Sequence, residues 1–231
     1  MTDRQSKGAL GQVWAVLTKD LLIERRAWTR VVALMSFAVL VLLLFSFAVG
    51  PDTKILQKHA AGYLWLATLF ASTTLFTQSF SVETESGALA QLQLAPVLPG
   101  ALFYGKALAN ALQLFVLLVI SLPPLIALCD VSFVEGLDVL LLTCGLGALG
   151  IAAPGAMYAA MTARISSQQM LLPLLLFPLI VPAMLSAVKA TSLILGGDPM
   201  DQLGSWLSLL TAFDVVFWAL CGVMFGRITE T

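Results

Sequence analysis

Charge is what this sequence has least of. Of its 231 residues, 11% are charged and 59% are hydrophobic, and the mean hydropathy is +0.96. A soluble domain of this size cannot bury so much apolar surface and needs far more charge to stay dispersed, so a membrane must solvate the chain. A net charge of -1 and a pI near 5.7 exclude the basic surface that holds nucleic acid, and no nucleic-acid partner is expected. Histidine is almost missing: His59 stands alone, too little for a metal site, and neither HExxH nor GxSxG occurs. Base-assisted nucleophilic catalysis is thereby excluded in its usual forms, and the chain is expected not to be an enzyme. The three cysteines (Cys129, Cys144 and Cys221) form no CxxC or CxxCH. They are read as apolar filler, not as a disulfide framework or a covalent haem attachment. No cleavable signal peptide is expected, because the first long apolar run begins near residue 31 behind a charged lead.

Long apolar runs are what the chain has in quantity. About 20 helical residues cross the roughly 30 Å of hydrocarbon in a bilayer, and six runs meet that length, near 31–50, 61–80, 104–128, 137–162, 168–192 and 203–226. Turn residues separate them: Gly50-Pro51-Asp52, Pro96 to Gly100, Cys129-Asp130, Arg164 to Ser167, and Gly196 to Pro199. Irregular backbone exposed to lipid is too costly, which leaves helices as the spanning form. The expected fold is therefore an all-α polytopic membrane protein, one transmembrane domain over residues 1–231.

Lysine and arginine set its direction. Arg4, Lys7, Lys19, Arg25, Arg26, Arg30, Lys106, Arg164 and Arg227 fall on one side of six alternating spans, and Lys54, Lys58 and Lys189 on the other. That asymmetry predicts cytoplasmic N- and C-termini. The lead-in LGQVWAVLTKDLLIERRAWTR (10–30) puts Leu10, Val13, Trp14, Leu17, Leu21 and Trp28 on one helical stripe, with Gln12, Lys19, Arg26 and Arg30 opposite. The pattern suits an amphipathic helix in the membrane interface, or a helix packed on a partner.

Residues 81–100 then form a polar island on the predicted inner side. Glu83 and Glu85 enter it, Gly87 can end or bend the preceding helix, and a short helix from Ala88 to Ala95 would put Leu89 and Leu92 on one side before Pro96 stops it. Two leucines held away from lipid favour a protein socket over a solvated loop.

Two stretches imitate nucleotide sites. CGLGALG (144–150) contains GxGxxG inside an apolar run, without the preceding strand or following acid that dinucleotide binding needs. Its glycines are read as close helix contacts, continued by Gly155. GALFYGKA (100–107) imitates GxxxxGK, but Ala107 replaces the hydroxyl that holds magnesium. Lys106 is read instead as an inner-face anchor, and any ATPase must be another subunit.

Polar or kinking residues within the spans are candidates for function. Asp214 lies mid-span, facing a subunit interface, a water-filled pocket or a lysine such as Lys189. Pro154 with Gly155, and Pro173, Pro178 and Pro182, interrupt helical hydrogen bonding where the moving or substrate-facing part would lie. His59 could lend one axial ligand to haem, or simply face the interface.

Six spans, an interfacial helix and a Gly-centred inner knob resemble the ABC-2 type exporter permeases. VGPDTKIL (49–56), SGALAQLQLAPVLPGALFYGKALA (86–109), GIAAPGAMYA (150–159) and LLFPLIVPAML (175–185) together resemble one branch, the CcmB permeases of cytochrome c maturation. The resemblance implies a homodimer in the bacterial inner membrane, each copy seating its knob in a cytoplasmic ABC ATPase dimer that carries the ATP and Mg. It also implies a haem-handling membrane protein, a small one-span membrane protein and a downstream periplasmic haem chaperone. Haem is then cargo, with no cofactor bound by the chain itself, and Glu83, Glu85, Gly87, Leu89, Leu92 and Pro96 belong to the coupling helix between spans two and three. The chain departs from the family pattern at Thr77 to Phe80 and at Ala90, where charged residues are usual. Two alternatives use the same residues: an exporter of another lipid or drug-like substrate, and a non-transporting scaffold that passes ATPase motion to a haem-handling neighbour.

Overall fold

A computed structural model describes residues 8–26, 28–50, 52–85, 98–131, 136–163 and 168–229. Within them the chain is helical, with no strand. The helices are α1 (Ala9–Arg26), α2 (Trp28–Val49), α3 (Thr53–Glu85), α4 (Pro99–Cys129), α5 (Leu137–Thr162), α6 (Gln168–Gly196) and α7 (Leu203–Thr229). Six of them, α2 to α7, are long and apolar enough to cross a membrane.

Local chemistry explains the helix ends. Gly50 takes φ +79 after α2, and Asp52 then caps α3, its carboxylate accepting from the backbone N–H of Lys54 at 3.0 Å and of Ile55 at 3.3 Å. That cap lets α3 begin at Thr53, well before the apolar run near residue 61. At the far end of α4, Asp130 adopts the left-handed conformation (φ 49, ψ 46) that closes a helix. Leu203 N–H donates to Asp198 Oδ2 at 2.6 Å, tying the start of α7 to the preceding turn. The prolines inside α4, α5 and α6 leave each helix continuous, as happens where neighbouring helices support the freed backbone groups.

α5 is the most enclosed span and α2 and α7 are the least. Glycine lets α5 sit at the centre. A Cβ on Gly147 would overlap the indole of Trp65, and one on Gly155 would overlap the ring of Phe76, both on α3. Within 144–150, Gly147 thus serves as a close helix contact that receives the Trp65 ring, while Gly150 faces Asp214 and Ala183. Trp65 Nε1 also donates to Thr191 Oγ1 of α6 at 3.0 Å, so one buried indole joins three helices. Outside this core, Leu40, Leu44 and Phe47 of α2 and Val215, Leu220 and Val223 of α7 are exposed. That apolar skirt is the surface a bilayer covers.

Candidate coupling site

The loop between α3 and α4 has its middle, residues 86–97, outside the described residues. Gly87, Leu89, Leu92 and Pro96 lie there, as does the expected short helix. Glu83 and Glu85 belong to the end of α3. The structure does describe the helices that flank this loop, and α1 packs against the second of them.

α1 lies against the first turns of α4. Gly105 permits the approach: a Cβ there would come within 2.6 Å of Val16 Cβ and 3.0 Å of the Val13 carbonyl oxygen. On one side of this contact, Gln12 Oε1 accepts from Leu98 N–H at 3.0 Å. Leu98 is the N-cap of α4 and its side chain caps nothing, while its own N–H, one of the donors a helix start leaves unpaired, is met by a residue 86 positions earlier. On the other side, Lys106 Nζ lies 3.3 Å from Asp20 Oδ2 and donates to the Ser79 carbonyl of α3, also at 3.3 Å. Lys106 is 2% exposed. A buried ammonium needs such partners, because leaving it unpaired in apolar surroundings costs several kcal/mol, of order 3–5. Asp20 also meets Lys19 at 3.1 Å, which leaves its carboxylate shared between a buried and a half-exposed cation.

Together these contacts form a clasp. Gln12, Val16 and Asp20 recur every four residues, so one stripe of α1 grips the start of α4 and, through Lys106, the end of α3. Two expectations change here. Lys106, expected as an inner-face anchor, is buried and paired, because Asp20 reaches it from α1. Gln12, expected on the stripe facing away from the apolar contacts, is turned inward, because the N-terminus of α4 offers it an unpaired N–H. The four-residue spacing of Gln12, Val16 and Asp20 was the available signal. Leu10 and Trp14 form a more hydrophobic stripe that masks it, and these remain exposed at 86% and 66%.

The other predicted residues lie apart from the clasp. Pro154 and Gly155 are buried in α5, whereas Pro178 and Pro182 of α6 are exposed and Pro173 is half-buried. Asp214 is buried in α7 beside Gly150, where a Cβ would come within 2.8 Å of its Oδ1, and neither carboxylate oxygen has a hydrogen-bond partner among the described residues. Lys189 is exposed and pairs with no carboxylate among them. His59 is exposed near Tyr63, at 6.2 Å between ring centroids, and Tyr63 stacks on Phe45 at 4.9 Å, which sets His59 on the α2 side of α3. On another stretch of α3, Thr73, Thr74, Thr77 and Gln78 line a polar cleft of about 320 Å³. This includes part of the Thr77 to Phe80 stretch at which the chain departs from the resembled pattern.

The sequence profile of the family described as CcmB protein matches residues 11–227. The chain is 34% identical over 176 residues to Heme exporter protein B of Pseudomonas aeruginosa, covering 76% of this chain and 78% of that protein. It is 33% identical over 173 residues to Heme exporter protein B of Rhodobacter capsulatus, covering 74% and 78%. Against the Bradyrhizobium diazoefficiens protein of the same name it is 29% identical over 203 residues, covering 87% and 90%.

Proposed function

The chain belongs to the CcmB protein family, and from that premise we propose that it is the membrane permease subunit of an ATP-driven complex that delivers haem for c-type cytochrome maturation. It works as a homodimer in the bacterial inner membrane with both termini cytoplasmic. Each copy presents residues 81–100 to a partner ABC ATPase that holds the ATP and Mg. A haem-handling membrane protein and a small one-span protein complete the complex, and a periplasmic chaperone receives the haem.

The clasp carries this reading. A loop that only joined two spans would need no shared support, yet Gln12 holds the start of α4 and Lys106 links α1 to Ser79, six residues before the end of α3. A push on the loop would therefore move α1, α3 and α4 together. Leu10, Trp14 and Leu22 remain exposed on α1 and suit the interface, where tryptophan sits at headgroup depth. The polar cleft at Thr73 to Gln78 gives α3 a hydrophilic stretch that suits a second copy or a water-filled path on that side, although the Thr73 and Thr77 hydroxyls already donate to carbonyls of their own helix.

The test is a pair of variants, Leu89→Asp and Leu92→Asp, reconstituted with the partner ATPase and the haem-handling protein. Both should insert and assemble, while ATP hydrolysis continues without haem delivery. Normal haem delivery in both variants would sink the coupling assignment.

A further inference from the structure

At the end of the bundle opposite the clasp, α3 and α6 part to leave a cleft of about 340 Å³. Lys54 and Lys58, one turn apart on α3, line one wall. Ser192, Leu195 and Gly196 of α6 line the other, with Val131 beside them. Gln57 is fixed nearby, since its Nε2 donates to the Asp130 carbonyl at 2.7 Å.

Among the described residues, the two ammonium groups stand without a partner. Neither forms an ion pair or donates a side-chain hydrogen bond among the described residues. Of the carboxylates at this end, Asp52 caps α3 and Asp198 Oδ2 accepts from Leu203 N–H, while Asp130, Asp138 and Asp201 pair with neither lysine among the described residues. The last carbonyls of α6 offer lysine a common role at a helix C-terminus, but no hydrogen bond joins them to either side chain. Like charges four residues apart on one helix repel. An anion lying between them would relieve that repulsion and accept charge-assisted hydrogen bonds from both. Ser192 adds a hydroxyl, and Leu195 and Val131 supply an apolar flank next to the spans.

We propose that this cleft binds the anionic head of a membrane-partitioned amphiphile, a carboxylate or phosphate held by Lys54 and Lys58 with its apolar body along Val131 and Leu195. A haem, with two carboxylates on one edge of a flat apolar ring, and an anionic phospholipid both present that chemistry. Binding here does not depend on coupling to an ATPase, so it stands or falls separately from the reading of the loop.

The full chain in phosphatidylcholine nanodiscs is titrated with ferric protoporphyrin IX and, separately, with its dimethyl ester. The ester keeps the ring and lacks the carboxylate charges, and binding of each probe is referred to its own partitioning into empty discs. Native mass spectrometry on discs doped with phosphatidylglycerol reads retained phospholipid. The Lys54→Gln/Lys58→Gln pair should weaken binding of the acid by roughly tenfold or more, leave ester binding unchanged, and regain the acid in the Lys54→Arg/Lys58→Arg pair. Loss of retained phosphatidylglycerol in the Gln pair, with protoporphyrin binding intact, would support the same site with phosphate as its head group. Unchanged binding of both probes in a Gln pair that keeps its helicity and monodispersity would overturn the proposal. Should that pair fail to fold, Lys58→Gln alone gives the same comparison.

Discussion

The ammonium of Lys106 stands 3.3 Å from the carboxylate of Asp20, across the seam between α4 and α1. The lysine is 2% exposed and the aspartate side chain 12%, so the pair straddles the boundary between core and solvent. Its value lies less in net stability than in uniqueness of position, because a buried cation accepts few arrangements of its neighbours.

Removing one partner should therefore cost more than removing both. Asp20→Asn leaves Lys106 buried without its counter-charge and should destabilise the chain by about 3 kcal/mol, the lower end for a buried pair given that Asp20 keeps some solvent. Adding Lys106→Met should recover most of that loss. Thermal unfolding in detergent, arranged as a double-mutant cycle, reads the difference. Additive losses would mean that the pair does not hold α1 in place.

Gly105 and Gly100 sit in the same helix with opposite surroundings. Gly105→Val would force α1 away from α4, and such overpacking should lower stability by about 1–3 kcal/mol while reducing haem delivery per ATP hydrolysed. A Cβ on Gly100 meets nothing within 4 Å, so Gly100→Ala should leave both unchanged. Equal behaviour of the two variants would argue against close α1 packing.

Asp214 calls for a different substitution. A buried carboxylate with no hydrogen-bond partner burdens the fold, and replacing such a group by an apolar one gains about 1–3 kcal/mol. Asp214→Val should accordingly raise the unfolding temperature of the isolated chain while lowering haem delivery by the assembled complex. A stabilised variant with full delivery would show that Asp214 serves no transport step.

Asp198, in the turn between α6 and α7, titrates in a predictable direction. Hydrogen bonds from the backbone N–H of Gln202, then of Leu203 and Met200, hold its carboxyl below the ordinary range against a smaller opposing effect of desolvation. A depressed value in the folded state means that this stabilisation is fully present above the ordinary carboxylate pKa, about 3.9, and is lost as pH falls through the lowered one. Asp198→Ala should be less stable than the parent at neutral pH, with the gap closing in acid. Unfolding midpoints from pH 7 down to pH 3 check this, and a gap that widened in acid would contradict it.

Much of the fold was legible because a bilayer imposes a simple rule on sequence. The apolar runs near 137–162 and 203–226 became α5 and α7 with hardly a change of boundary, since only helix satisfies a backbone in hydrocarbon. The early start of α3 was less visible. Polar residues such as Lys54, Gln57 and Lys58 dilute the apolar pattern, while the Asp52 cap that starts the helix acts through backbone hydrogen bonds. The glycines at 147 and 155 were recognisable as contact points, though not as seats for Trp65 and Phe76, because a pattern of small residues does not say which ring will fill it.

The sequence by itself determined that this chain is a helical membrane protein, with six helices among the described residues long and apolar enough to span, and it carried the motifs that resemble the CcmB permeases. Those conclusions rest on composition, run length and ordered local motifs, all readable along one dimension. Only the tertiary structure decided that Gln12 meets the N–H of Leu98, 86 residues later, and that Lys106 turns inward to Asp20. It also decided that Lys54 and Lys58 share a cleft with α6. Each of these depends on which faces of distant helices meet, and that is settled when the whole bundle packs at once.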